Sequence, residues 1–219
     1  MSPARLDGES LEYTKIRDEL QQAEVALRDQ RERVAELRRR LPSDHVIEDQ
    51  VFCEIRDGQP EDVRLSELFD DTDRPLILLH FMYGGTQVSP CPMCTCWADG
   101  YDGVLPHLEQ KAHFAAFIAG DPGHFGAYAR SRGWRNLRVV SAGKSDLKRQ
   151  LGFENEEGGQ LPGLSVFTRS AQGELVHFYS QCAYLGEHGF RGMDLLNPVW
   201  HFLDATPEGR GDFFPSKQY

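Results

Sequence analysis

The sequence predicts an α/β protein, and three observations carry that reading. Residues 75–83 and 112–119 are continuous apolar runs of strand length, the pattern of strands buried on both faces of a sheet. Helical stretches separate and follow them, one opened by Asp121-Pro122-Gly123 and closed at Gly133. Pro suits a first helical turn and Gly the position after a last one. Two segments around Asp57-Gly58-Gln59-Pro60 and Ser170-Ala171-Gln172-Gly173 read as β-hairpins, because such residues favour tight turns.

The first element in chain order is the clearest. Tyr13, Ile16, Leu20, Ala23, Leu27, Gln30, Val34, Leu37 and Leu41 follow spacings of three and four. Residues 10–41 therefore predict one helix of about eight turns, with a narrow apolar seam that only Gln30 interrupts. Ser10 is its expected N-cap and Pro42 its stop. Arg38-Arg39-Arg40 suits the negative end of the helix dipole and is read as that, not as a nucleic-acid patch. A seam of this length wants a partner, either its own domain or the same helix of a second copy in a homodimer.

Residues 51–55 and 62–65 form the first hairpin, with Cys53 inside it as a small buried hydrophobe, and residues 66–70 form one helical turn that leads through Asp73 to Pro75. The run 75–83 is the first core strand. Gly84-Gly85-Thr86 then opens a loop that delivers Ser89-Pro90-Cys91-Pro92-Met93-Cys94, and Thr95-Cys96-Trp97 begins a helix reaching Glu109. An irregularity is expected in that helix near residues 99–103. A second strand (112–119), a helix (125–133), a third strand (137–141) and a short helix (144–152) follow. The hairpin strands 164–168 and 175–180 and a helical piece at 195–203 complete the order. The expected organisation is a helical arm at 1–42, a domain at 43–205 and a loose tail at 206–219.

Composition narrows the function classes. A chain of 219 residues with 40% hydrophobic and 26% charged residues has the makeup of a soluble protein with a sizeable core. The formal net charge of -10 argues against nucleic acid and anionic membrane surfaces, both of which demand a basic face. Met1-Ser2-Pro3-Ala4-Arg5-Leu6-Asp7 lacks the apolar run of a signal peptide, so a cytoplasmic location is expected. Five cysteines cannot all pair within one chain. In a reducing compartment a CxxC is better read as catalytic or metal-binding than as a structural staple.

The order of elements is similar to the thioredoxin fold, with insertions most like those of peroxiredoxins. Cys91-Pro92 resembles the peroxiredoxin Cys-Pro, and Ala119-Gly120-Asp121-Pro122 with Phe125-Gly126-Ala127-Tyr128 resembles their next strand and helix. Pro162-Gly163-Leu164-Ser165-Val166-Phe167 has the spacing of the thioredoxin segment that opens with a cis-proline facing the thiols. A closer match covers nearly the whole chain. His80-Phe81-Met82, Cys91-Pro92-Met93-Cys94-Thr95, Trp97 to Gly103, His107-Leu108, Gly133-Trp134, Pro162 to Phe167 and Pro207-Glu208-Gly209-Arg210 look like the domain-of-unknown-function 899 family. That resemblance implies a thioredoxin-like domain with a helical N-terminal arm and the activity described for its members, dithiol-disulfide oxidoreductase. Cys96 and Cys182 depart from the family pattern, and Val88 stands where peroxiredoxins carry a Thr.

Two chemistries fit the cysteine cluster. In the leading one Cys91, at a helix N-terminus, is the exposed nucleophile, since the positive end of the dipole favours thiolate. Cys94, one turn later, is the resolving thiol. Pro162, Trp97 and Asp99 support the pair, the two α-helical residues by packing and capping or, for Asp99, as a proton acceptor. The substrate would be a disulfide, a peroxide or another small molecule, and no cofactor is required. In the alternative, Cys91, Cys94 and Cys96 with His80, His124 or His177 hold Cu(I) or Zn, as the thioredoxin-like Sco copper proteins use a cysteine pair and a distant His. Copper with an open position would then support oxidative chemistry. Cys94 and Cys96 lie about 200° apart on a helix, so all three thiols reach one ion only if Thr95 is not yet helical. His80 is equally readable as a satisfied core histidine, Cys182 as a core or surface thiol, and Lys144, Lys148 and Arg149 as a solvated helix face.

Overall fold

The computed structural model describes residues 7–69, 74–186 and 191–218. Asp70 and Asp73 of the expected lead-in to the first core strand, and all but the last residue of the opening heptapeptide, lie outside the described residues. The chain divides into two compact units, Met1–Pro42 and Ser43–Tyr219.

The first unit is the helix α1 (Leu11–Arg39). Ser10 caps it, its hydroxyl accepting from the Tyr13 amide at 3.1 Å. Taken by itself the helix buries no residue. Its flanks carry ion pairs such as Arg17–Glu24 at 3.2 Å and Lys15–Glu19 at 4.0 Å. Exposed pairs of this kind contribute a few tenths of a kcal/mol each, so the apolar seam is the feature that makes this helix more than a solvated rod.

The second unit is built on β1 (Val51–Arg56), β2 (Gln59–Arg64), β3 (Leu76–His80), α2 (Pro92–Leu108), β4 (His113–Ile118) and α3 (Pro122–Arg132). β5 (Arg138–Ser141), α4 (Leu147–Gln150), β6 (Gly163–Arg169), β7 (Leu175–Cys182) and α5 (Pro198–Asp204) follow. The seven strands form one sheet in the order β2-β1-β5-β4-β3-β6-β7. β3 is parallel to β4 and antiparallel to β6, which continues into the β6–β7 hairpin. This is a thioredoxin-like arrangement, extended at the β5 edge by the β1–β2 hairpin.

β3 lies inside the sheet, between β4 and β6, and both of its faces are apolar. Leu76 and Leu78 pack with Phe52, Phe117, Phe167 and Leu147 on one side. Ile77 and Leu79 point the other way, into a cluster holding Phe81, Trp97, Phe125, Cys91 and Cys94. The thiols thus belong to the core under α2 and α3.

Some boundaries differ from expectation for identifiable reasons. Pro60 sits inside β2, opposite Ile55; β2 is an edge strand, where a missing N–H is tolerated. α2 runs unbroken through residues 99–103. Asp102 instead turns its carboxylate outward to the amides of Arg135, Asn136 and Leu137 at 2.8–3.0 Å, fixing the turn between α3 and β5. The expected helix at 195–203 is two pieces, a 3-10 turn at Arg191–Leu196 and α5, because Asn197 caps a new helix that starts with Pro198. The stretch after residue 206 is tied down: Arg210 bonds Asp194 at 2.6 Å and Asp204 at 2.5 Å. Among the described residues no helix is long and apolar enough to cross a membrane.

Candidate active site

The loop after β3 is fixed by the next strand. The Phe81 amide donates to the Phe117 carbonyl at 3.1 Å, and the Tyr83 carbonyl accepts from Ala119 and Gly120 at 2.9 and 3.0 Å. Gly84 makes this closeness possible: its φ is +102°, and a Cβ there would overlap the Gly120 backbone. The loop returns so that the Cys91 amide donates to the Met82 carbonyl at 3.3 Å. Cys91 is the N-cap of α2, and Pro92 follows it at the first helical position, where its lacking N–H costs nothing. Thr95 locks the turn, its amide and hydroxyl each donating to the Cys91 carbonyl at 2.9 Å. The same hydroxyl meets Tyr128 of α3 at 2.8 Å.

Cys91 and Cys94 are free thiols with opposite tendencies. The Cys91 thiol is lowered to about 6, chiefly by a hydrogen bond from the Cys94 side chain. Burial opposes that, while the amides of Cys94 and Met93 and the Lys217 charge assist it. Cys94 is fully buried, and burial together with the neighbouring Cys91 sulfur pushes its pKa well above the usual thiol value. One proton is therefore held on the inner sulfur and donated to the outer one. Cys91 is not the openly exposed residue expected: it is 7% accessible. Cys94 is deeper still, at 0% accessible.

Cys96 does not join them. Thr95 lies within the helix, so the helical phase sends Cys96 to the other side. There its sulfur accepts from Asn197 Nδ2 at 3.7 Å, beside a cavity of about 500 Å³ lined by Pro198, Val199, Phe213 and Pro215. The expected metal set is dispersed. His80 Nε2 bonds Ser165 Oγ at 2.8 Å inside the core. His177 Nε2 bonds Ser180 Oγ at 2.7 Å, and His124 is a surface residue 3.7 Å from Asp121. Among the described residues no three His, Cys, Asp or Glu side chains group closely enough to hold a metal ion. The three thiols and a histidine expected around one Cu(I) or Zn ion therefore do not come together.

The sequence matches the family described as "Bacterial protein of unknown function (DUF899)" over residues 5–219. The chain belongs to the DUF899 family. Among curated proteins none matches it. Solved structures similar to it include oxidized Prx3 from Vibrio vulnificus, at 14% identity and TM-score 0.46, covering 65% of this chain and 88% of that one. Another is the mitochondrial 2-cys peroxiredoxin from Plasmodium falciparum, at 12% identity and TM-score 0.49, with 74% and 95% covered. A third is the peroxidoxin BcpB from Mycobacterium tuberculosis, at 15% identity and TM-score 0.47, with 71% and 94% covered.

Other expected site residues of this DUF899 protein take structural places. Pro162 is buried beside the end of β3, since Gly163 pairs with His80. Its peptide bond is trans, as no described bond is cis. The Pro162 carbonyl accepts from the Ala183 amide at 2.9 Å and from the Cys182 thiol at 3.7 Å, extending the hairpin ladder. Trp97 is buried packing against the thiols, its indole N–H without a partner. Asp99 is no proton acceptor for the pair: its carboxylate is taken by Arg132 at 2.7 and 3.2 Å and by Trp134 Nε1 at 2.8 Å.

Three groups carried too weak a signal in the sequence. Lys148, read as a solvated residue, is 1% accessible, because four-residue α4 turns Leu147 and Lys148 together into the core. Its ammonium donates to the Phe117 carbonyl at 3.1 Å and lies over that ring. Burial lowers it to about 7, and its charge and that of Cys94 act on each other. Beneath it His80 starts a row of hydrogen bonds, His80–Ser165–Ser180–His177, with spacings of 2.8, 2.6 and 2.7 Å. Alternate residues on paired strands share a face, so Ser165 and Ser180 were findable only with the hairpin register. The third group is Lys217, which binds the residues just before Cys91.

Proposed function

We propose that this protein is a thiol-disulfide oxidoreductase with Cys91 as nucleophile and Cys94 as resolving thiol. The observation that supports this most is the asymmetry of the pair: a stabilised outer sulfur at a helix N-terminus, and a buried inner thiol hydrogen-bonded to it. The Cys91 thiolate attacks one sulfur of a substrate disulfide, forming a Cys91–substrate mixed disulfide and expelling the other substrate sulfur as thiolate. Cys94 loses its proton and attacks Cys91 Sγ. The Cys91–Cys94 disulfide forms and the second substrate thiolate leaves. Two electrons have passed to the substrate, the two expelled thiolates take up protons, and an external dithiol reduces the enzyme for the next turn.

A peroxide would meet the same nucleophile: the thiolate takes the distal oxygen, an alcohol or water leaves, and Cys94 condenses with the sulfenic acid to release water. A disulfide is the favoured substrate class here, because the position three residues before Cys91 is Val88, with no hydroxyl to hold a peroxide oxygen. The proposal includes a reducing compartment such as the cytoplasm and self-association through the α1 seam. Sedimentation equilibrium of the full chain, with Leu20 and Leu27 changed to Glu, tests the latter: a dimer that becomes a monomer supports it.

The test of the chemistry is a trap. Cys94→Ser removes the resolving sulfur and should leave a mixed disulfide with a probe such as bis(2-hydroxyethyl) disulfide accumulating on Cys91, seen by intact and peptide mass spectrometry. Adduct on any other cysteine, or none, contradicts the assignment.

A further inference from the structure

We propose that Lys217 is a positioning residue that adds to the stabilisation of the Cys91 thiolate provided by Cys94, brought to the start of α2 by the segment 211–218. The inference rests on the reading of Cys91 as nucleophile. Lys217 Nζ donates to Ser89 Oγ at 2.9 Å and to the Pro90 carbonyl at 3.0 Å. These are the two residues immediately before Cys91, so the ammonium is fixed at the entrance of the helix that carries the thiol.

The lysine is held there by a built arrangement rather than by a chance surface contact. Arg132 Nη1 donates to the Lys217 carbonyl at 2.8 Å. Arg132 is itself gripped by Asp99, which also takes the Trp134 indole. Pro215 is buried, and Phe213 meets Trp200 at 5.9 Å between ring centroids. Asp99, expected beside the thiols, thus acts on them at a distance: it orients an arginine, which orients the backbone of the lysine.

The charges around Cys91 leave Lys217 a distinct role. From α2 comes Cys94, which stays protonated. From α3 and from the turn after β7 come Tyr128 and Tyr184, both raised by burial and so neutral. Lys148 acts on Cys94. The Lys217 charge lowers Cys91, adding to the larger effects of the Cys94 side chain and the Cys94 and Met93 amides. A cation near a partly desolvated thiolate favours the charged form.

The experiment is the pH dependence of Cys91 alkylation by iodoacetamide, read peptide by peptide, in wild type, Lys217→Met and Lys217→Arg. For Lys217→Met the inflection should move up enough to slow the rate at pH 6 by about 1.5-fold or more, with the plateau above pH 9 changed by less than about 1.2-fold. Lys217→Arg should restore the wild-type inflection. A Met variant with an unmoved inflection, or slowed equally at every pH, overturns the inference while leaving the nucleophile standing. So does an Arg variant that melts like wild type but titrates like Met. A wild-type profile without an inflection below pH 8 removes the thiolate reading and this inference together.

Discussion

Cys94 and Cys96 stand two residues apart on one helix and have opposite settings. Cys94 is sealed in the core and donates to Cys91. Cys96 is half-buried on the far side, with Asn197 and an apolar cavity for company. Two residues advance a helix by about 200°, so three clustered thiols resolve into a pair and a bystander. The helix begins early enough to impose that phase because Pro92 pre-sets its first turn and Thr95 locks it back onto Cys91. A loop at the same place would have let all three sulfurs meet one ion. The helical phase keeps Cys96 away from the other two sulfurs.

The contrast can be broken or sharpened by substitution. The largest effect is expected for Cys91→Ser, which removes the stabilised sulfur. Reduction of a small disulfide should fall by roughly 10³-fold or more, measured as turnover with dithiothreitol as reductant. Next is Lys148→Met, which bears on the inner side of the pair. Burial holds Lys148 near 7 against 10.5 when unfolded. Between those values the unfolded chain binds a proton that the folded chain lacks, so stability rises with pH across that window. Cys91, also lowered, adds a slope of the same sign up to about pH 9. Lys148→Met should flatten the rise, making the variant more stable than wild type at pH 6.5 relative to pH 9.5 in urea melts. The Phe117 carbonyl keeps the Phe81 amide as a donor, so no orphaned acceptor obscures the comparison. The smallest effect is expected at Cys96→Ser: turnover within about twofold of wild type, since its sulfur takes no part in the pair.

Much of this was legible in the sequence, and the exceptions share a cause. Apolar run length located β3 and β4, turn residues located both hairpins, Ser10 was found as a cap, and Asp121-Pro122-Gly123 was found as a helix start, because capping is a local matter of one side chain and an amide three residues on. The residues alone put the start of α2 at Thr95, whereas the helix begins at Pro92, as the resemblance to the peroxiredoxin Cys-Pro implies. What stayed hidden depends on contacts between distant parts of the chain. Lys148 looks like any amphipathic-helix lysine until α4 proves to be only four residues long and turned inward. Lys217 reaches Ser89 across 128 positions. Asp99 has the right type and neighbourhood for a proton acceptor, and only the fold shows Arg132 and Trp134 occupying it. Pro162 stands at the expected strand start, but its peptide bond is trans.

The central claim is that Cys91 and Cys94, without Cys96, form the redox pair. The most direct measurement is tandem mass spectrometry of the peptide containing all three sulfurs, after the reduced protein has been oxidised by one equivalent of a small disulfide. The account expects loss of two hydrogens localised to Cys91 and Cys94, with Cys96 still alkylatable and the linkage unchanged in Cys96→Ser. A bond involving Cys96, or three sulfurs that remain reduced, would contradict it.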